Sequence, residues 1–115
     1  MRWLPALLSI LILAVSPASA EEFVSGTEDV PLMTGLAIIP GSALVFDKPE
    51  GRIVEAQAHG VLARAKVEAF YDASLPQLGW KKIGADRWQR DAERLKLDFT
   101  GADGHLTVGF TISPQ

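Results

Sequence analysis

The chain has 115 residues, a formal net charge of −3 at pH 7 and no cysteine. A chain of this length forms one domain with a small core, and the missing cysteines exclude disulfides, thiol catalysis and thiolate metal sites. The acidic balance makes the chain a poor general binder of nucleic acid, so no nucleic-acid partner is predicted.

Residues 1–20 have the pattern of a secretory signal peptide. Arg2 supplies a positive charge, residues 4–15 are almost entirely apolar, and the Ala-Ser-Ala sequence at 18–20 is typical of a cleavage site. We therefore expect a mature periplasmic chain of 95 residues that begins at Glu21 and has no transmembrane segment. An uncleaved membrane anchor is the alternative, although the apolar run is shorter than the roughly 20 residues that span a bilayer.

Residues 21–42 predict an extended N-terminal arm. Their apolar residues follow no single period, and Pro31 and Pro40 disfavour a central strand. We expect a flexible start as far as Asp29, followed by apolar side chains that pack on the body of the protein. The alternative is that this arm binds a partner.

Residues 43–59 predict a β-hairpin. Its turn, Lys-Pro-Glu-Gly at 48–51, has proline second and glycine fourth, which is the chemistry of a type I turn. Because both faces of the hairpin carry apolar residues, we expect both to be covered near the turn. The predicted pairs are Phe46 with Ile53 and Val45 with Val54.

Residues 61–80 carry the helical pattern of the chain. Apolar and small side chains recur at steps of three and four and would line one buried face, while charged side chains line another. Pro76 and Gly79 predict that the helix ends in a kink or a tight turn. The predicted buried face consists of Ala63, Val67, Phe70, Tyr71, Ser74 and Leu78.

Three turn signals after the helix delimit four short strands. In the last two strands apolar and polar residues alternate, and the loop between them sets the apolar residues at 95, 97 and 99 beside those at 106, 108, 110 and 112. In the first two strands we expect Ile83 to lie opposite Trp88, with both facing the helix. The opposite parity would expose Ile83 at a cost of about 2 kcal/mol.

The order of elements is an arm, two strands, a helix and four strands. This order predicts a single α+β domain over residues 43–115, with a mainly antiparallel sheet of about five or six short strands covered by one amphipathic helix. The predicted architecture is a two-layer sandwich.

The segment FYDASLPQLGW, an arginine-rich hairpin and the segment ERLKLDF follow one another from residue 70 to residue 99. They resemble small exported proteins of unknown function from proteobacteria, and more distantly the helix and Gly-Trp strand of domains in the outer-membrane assembly lipoprotein BamC. The chain differs from that lipoprotein in having one domain and no lipid-bearing cysteine. The resemblance implies a non-catalytic envelope module and no residue-level function.

The polar residues do not form a catalytic pattern. His59 and His105 have no His or Cys at ligand spacing, and Ser42 lacks the frame of a nucleophile elbow. A metal site at His105 with Asp103 is the alternative to a solvated histidine. We therefore predict no cofactor, no metal site and no enzymatic activity.

Charge is distributed unevenly along the chain. Residues 21–58 have a net charge of −5, whereas residues 81–97 carry six cations and three acids, a net charge of +3. Alternate residues of a strand share a face, where such charges add. The candidate interaction surface consists of Lys82, Arg87, Arg94 and Lys96.

The predicted function is a non-catalytic interaction or accessory module of the periplasm, whose basic surface meets an anionic envelope protein or lipid head groups. Alternatively, these cations provide solubility and protect an edge strand. The second candidate function is a small-ligand binder with a pocket between helix and sheet. The predicted lining of that pocket consists of Phe70, Tyr71, Trp80 and Phe110.

Overall fold

The computed structural model describes residues 22–115, and the predicted signal peptide with its cleavage site lies outside this range. Within it, the chain forms an α+β fold with one seven-stranded antiparallel sheet and one α-helix. None of the helices within residues 22–115 has the length and hydropathy of a membrane-spanning segment. The elements are β1 (Ala37–Ile38), β2 (Leu44–Lys48), β3 (Gly51–Gly60), α1 (Arg64–Ser74), a 3-10 turn (Leu75–Leu78), β4 (Lys81–Gly84), β5 (Arg87–Arg90), β6 (Glu93–Ala102) and β7 (His105–Pro114).

The strand order is β1-β3-β7-β6-β5-β4, and β2 also pairs with β3. β1 and β2 lie on the same side of β3, with β1 against residues 58–59 and β2 against residues 51–55. The prediction of five or six strands is therefore too low. β1 was not predicted because its two residues lie inside the arm, where prolines interrupt the sequence and no strand period can be recognised.

Helix α1 contacts the sheet on one side, which we call the inner face. The ring centroid of Tyr71 on α1 is 5.5 Å from that of Phe110 on β7. The predicted pairing of β6 with β7 is confirmed, since Leu97 lies opposite Phe110 and Leu95 opposite Ile112. Each of these buried side chains contributes roughly 1.5–3 kcal/mol. The opposite side, the outer face, carries the alternate, mostly polar residues of the same strands.

The helix is shorter than its pattern predicts, because α1 covers Arg64–Ser74 and a 3-10 turn continues it over Leu75–Leu78. The predicted tight end near Pro76 is confirmed. Proline removes an N–H donor, and the chain tightens into 3-10 geometry. Gly79 follows with a φ of 90°, which glycine adopts without strain, and its N–H donates to the Pro76 carbonyl at 3.2 Å.

The hairpin of β2 and β3 has the predicted register, with Phe46 opposite Ile53 and Val45 opposite Val54. The prediction that both its faces are covered near the turn is wrong, because Val45 and Phe46 are 53% and 52% exposed. The arm contacts this hairpin on its inner side, where Gly26 lies against Val45. β2 therefore presents an apolar, half-exposed strand at this end of the sheet.

The predicted register of β4 and β5 is wrong. Lys82, in place of Ile83, lies opposite Trp88, and Ile83 is 47% exposed. The loop has two residues, but a β-bulge between Lys82 and Gly84 shifts the parity by one residue. The bulge turns Lys82 to the inner face, where its Nζ lies 3.0 Å from Asp72 and 5.9 Å from the Trp88 ring centroid. The lysine stem therefore covers the tryptophan while its ammonium stays at the surface.

The arm packs on the body, as predicted. Its predicted flexible start is wrong, because Val24 and Val30 are fully buried and the Val24 N–H donates to the Val30 carbonyl at 2.8 Å. The Tyr71 hydroxyl fixes the next residues, since it donates to the Pro31 carbonyl at 2.8 Å and accepts from the Met33 N–H at 3.4 Å. Burial raises the pKa of Tyr71, so this hydroxyl stays protonated and remains a donor.

Replacing Tyr71 with phenylalanine should lower the free energy of unfolding by about 1–2 kcal/mol, because the buried Pro31 carbonyl loses its donor. Urea unfolding followed by tryptophan fluorescence measures this change. Asp72→Asn is the control on the same helix, because the exposed pair of Asp72 with Lys82 contributes less than about 1 kcal/mol. A Tyr71→Phe variant as stable as this control would contradict the anchoring role of the hydroxyl.

Candidate functional site

Three cations share the outer face of β5 and β6. Arg87 lies opposite Lys96, and Arg94 is two residues from Lys96 on β6, so its side chain shares that face. Trp88 and Leu95, which lie between them in sequence, are buried on the inner face. We call Arg87, Arg94 and Lys96 the basic patch.

The basic patch surrounds a cavity of about 210 Å³. Ser113 lies opposite Arg94 and adds a hydroxyl to the lining, while Ile83 adds an apolar side chain that is 47% exposed. Trp88 and Leu95 complete the lining. Two arginines, one lysine and one serine therefore line the same small space as three apolar residues.

The positive charge of the basic patch is largely unbalanced. Among residues 22–115, Arg87 and Arg94 form no ion pair, whereas the other three arginines of this range each form at least one. Lys96 is 3.5 Å from Asp98, but both side chains are about half exposed, so water screens this pair. Arg87 and Lys96 lie directly opposite each other, an arrangement in which like charges destabilise a sheet. A bound anion would reduce this repulsion.

The structure separates Lys82 from the other three residues of the predicted interaction surface. The bulge in β4 turns Lys82 to the inner face, where it pairs with Asp72, so the prediction of one shared face is wrong for this residue. Ser113 and Ile83 lie at the site but were not predicted there. The alternation of polar residues along β7 could have predicted Ser113 on the outer face. The exposure of Ile83 could not have been predicted, because it depends on the bulge, which no local pattern indicates.

Of the four aromatic residues of the alternative prediction, three belong to the buried core, and Phe70 is partly buried against it. Tyr71, Trp80 and Phe110 are 0%, 2% and 3% exposed. The Tyr71 ring makes edge contacts with Phe70 and Phe110, at 4.9 Å and 5.5 Å between ring centroids. The Trp80 indole N–H donates to the Asp29 carbonyl at 3.0 Å. This close packing does not favour a small-ligand pocket between these rings.

A second charged cluster lies around Asp29. Its carboxylate accepts a hydrogen bond from Arg52 at 3.1 Å and another from Arg90, and Arg52 also donates to Glu93 at 2.8 Å. The hydrogen bond to Glu93 raises the pKa of Arg52, so the guanidinium stays charged. Two cations and two carboxylates balance each other, and Glu28 also lines the adjacent cavity. This cluster therefore offers no excess positive charge to an anion, and its role is to hold the arm.

His59 and His105 line one cleft of about 420 Å³. Among residues 22–115, no group of three or more His, Cys, Asp or Glu side chains is close enough to hold a metal ion. Asp103, the acidic neighbour predicted for His105, accepts a hydrogen bond from the Arg64 N–H at 3.0 Å. This contact satisfies one of the free N–H groups at the start of α1, so Asp103 has a structural role there.

A third group of charges lies beside the start of α1. Arg64 is 3.2 Å from Glu68 and 3.4 Å from Asp86. The Asp86 side chain is 14% exposed. Burial, with a further contribution from the neighbouring Glu68 carboxylate, raises the pKa of Asp86. Asp86 therefore takes up a proton at a higher pH than an exposed aspartate does.

No protein-family model, curated protein or solved structure matches this chain. The resemblance to exported proteobacterial proteins and to BamC therefore stays a prediction. Among the clusters described above, the basic patch combines an excess of one charge with a cavity, and so it is the candidate functional site.

Acidification should stabilise the wild-type protein relative to an Asp86→Asn variant. Because folding raises the pKa of this carboxyl, its contribution to stability is present at low pH and is lost as the pH rises through the folded-state pKa. Asparagine tolerates the φ of 55° at this position and does not titrate. Urea unfolding of both proteins at several pH values between about 7 and 4 measures their stabilities. The stability of the wild type minus that of the variant should rise as the pH falls.

Asp91→Asn is the matched control, because Asp91 also lies in a two-residue turn and has a φ of 51°. This control reports the effect of an amide in that backbone conformation. A stability difference between wild type and Asp86→Asn that is the same at every pH would contradict the raised pKa.

Proposed function

We propose that this chain is a non-catalytic accessory module of the bacterial cell envelope, which binds an anionic partner through the basic patch. One observation carries the proposal: the two arginines of residues 22–115 that form no ion pair, Arg87 and Arg94, lie together on the outer face. In this proposal the helix and the sheet form a two-layer sandwich, in which the inner face supports the fold and the outer face meets the partner. Acidic protein surfaces and lipid head groups are both partners of suitable charge.

Protection of a sheet edge does not account for the basic patch. Lysines and bulges on edge strands prevent unwanted pairing, and β4, which ends the strand order, has Lys81, Lys82 and a bulge. Arg87 lies on β5, and Arg94 and Lys96 lie on β6, and both strands have a neighbour on each side. Edge protection therefore explains the lysines of β4 and leaves the basic patch for another role.

We also propose that the module works in the periplasm after cleavage behind Ala20. Intact-mass measurement of protein from the periplasmic fraction should give a chain that begins at Glu21 and has 95 residues. An Ala18→Arg, Ala20→Arg variant is the control, because arginine removes the small residues that the cleavage site requires, and this variant should keep its full-length mass. A full-length wild-type mass in the membrane fraction would overturn this part of the proposal.

Reversing two charges with Arg87→Glu and Arg94→Glu should lower the recovery of the partner at least about tenfold, because like charges across an interface oppose binding. The measurement is a pull-down with the tagged mature protein from its own envelope, at low and at moderate salt. Recovery by the wild type should fall as salt rises, because ions screen the attraction.

The matched control for this pull-down is the double variant Lys48→Glu, Lys66→Glu. It makes the same change in net charge at two exposed lysines that form no ion pair within residues 22–115. The control should recover the partner like the wild type. Equal recovery by both double variants, with no response to salt, would leave solubility as the role of the basic patch.

A further inference from the structure

We propose that the cavity within the basic patch binds the phosphate of an anionic lipid head group, so that the outer face docks on a membrane surface. This inference rests on the proposed function and names the partner. It is carried by the shape of the cavity, by the groups that converge on it and by the charges that surround it.

The cavity is suited to one compact anion with several acceptor oxygens. Its volume is about 210 Å³, and its lining includes two arginines, one lysine and Ser113. A phosphate offers tetrahedrally arranged oxygens to such a set, and each charge-assisted bond is stronger than a neutral one. Arg87 lies opposite Lys96, and Ser113 lies opposite Arg94, so the four donors come from three adjacent strands.

The cationic groups are available to a ligand. Arg87 and Arg94 have no acid to leave, since neither forms an ion pair within residues 22–115. Lys96 would have to leave Asp98. These two side chains are 3.5 Å apart and about half exposed, so their pair contributes little to stability. A phosphate between Arg87 and Lys96 would also replace their mutual repulsion with attraction.

The surrounding acids favour a head group over an extended acidic protein surface. Asp98 follows Lys96 on the outer side of β6, and Glu55 lies on the same row of the sheet, since Thr111 is the cross-strand neighbour of both Glu55 and Lys96. With strands about 4.8 Å apart, Glu55 is about 10 Å from Lys96. An acidic protein surface laid across this face would meet both acids, whereas one phosphate held by Arg87 and Arg94 would lie on the far side of Lys96 from both.

Ile83 supplies the apolar contact that a membrane surface requires. It is 47% exposed and lines the same cavity as the cations. A cation cluster with an apolar side chain at its rim matches the interface of a bilayer, where phosphates lie just outside the hydrocarbon. The bulge that exposes Ile83 therefore contributes directly to the proposed site.

The test is co-sedimentation of the tagged mature protein with vesicles of phosphatidylglycerol and phosphatidylcholine, compared with vesicles of phosphatidylcholine alone. The wild type should bind the anionic vesicles and not the zwitterionic ones. Arg87→Gln with Arg94→Gln should weaken binding about thirty-fold, since each cation near an anionic surface contributes about 1 kcal/mol. Lys48→Gln with Lys66→Gln, which removes the same charge elsewhere, should bind within about threefold of the wild type.

Ile83→Ser separates the lipid from the free anion. This exposed substitution should weaken binding to the anionic vesicles and leave the binding of inorganic phosphate unchanged, because phosphate makes no apolar contact. Phosphate binding is followed by the amide shifts of residues 87, 94, 96 and 113 in two-dimensional NMR spectra. The same spectra show whether each variant is folded.

Four results would overturn the inference. Vesicle binding that is equal for the wild type and Arg87→Gln, Arg94→Gln would show that the basic patch is not the site. Binding of inorganic phosphate without binding of anionic vesicles would exclude the lipid as its source. Recovery of a protein partner that depends on the charge of the basic patch, together with no vesicle binding, would retain the proposed function and exclude the lipid. Recovery that is unaffected by charge reversal would remove both the proposed function and this inference.

Discussion

The Asp29 carboxylate accepts hydrogen bonds from Arg52 on β3 and Arg90 on β5, and so joins the N-terminal arm to the sheet. The same residue accepts the Trp80 indole N–H at its backbone carbonyl, and the Arg90 guanidinium lies 4.9 Å from the Trp80 ring centroid. Because the carboxylate is only 13% exposed, its removal would leave two partly buried guanidinium groups without this partner. Removing one partner of a fully buried pair costs about 3–5 kcal/mol, and the cost is smaller here because the two guanidinium groups are 31% and 27% exposed and each keeps another partner. The carboxylate of Asp29 is therefore a main link between the arm and the strands β3 and β5.

The cluster around Asp29 also shows that the charges that stabilise the fold are separated from the charges that form no ion pair. β5 carries two arginines, and the alternation of side chains sends them to opposite faces. Arg90 shares the inner face with the buried Trp88 and reaches Asp29, whereas Arg87 lies on the outer face opposite Lys96. Substitutions at Arg87 can therefore change the charge of the outer face without removing a contact of the core. Stability and the proposed binding are therefore separable, because a strand has two faces.

The sequence predicts the features that depend on near neighbours. The pairing of Val45 with Val54, the pairing of Leu97 with Phe110 and the tight end of the helix all follow from turn chemistry and local period. The sequence does not predict the ordered start of the arm, because Asp29 contacts Arg52 and Arg90, which are 23 and 61 residues away along the chain. The bulge in β4 is likewise decided by tertiary contacts of one lysine with Asp72 and Trp88. Three of the four residues of the predicted surface share a face because side chains alternate along a strand. Lys82 lies on the other face because it contacts residues that are distant in sequence or on another strand.

The position of the basic patch within the sheet decides how it can bind. β5 and β6 have a strand on each side, so the backbone that carries Arg87, Arg94 and Lys96 is fixed before a partner arrives. The remaining ordering cost is that of the side chains, about 0.5–1.5 kcal/mol each, and the planar guanidinium loses less per hydrogen bond than a lysine does. The opposition of Arg87 and Lys96 raises the free energy of the unbound protein, and an anion between them removes that repulsion. The register that is unfavourable for the free sheet is therefore the feature that would favour the proposed bound state.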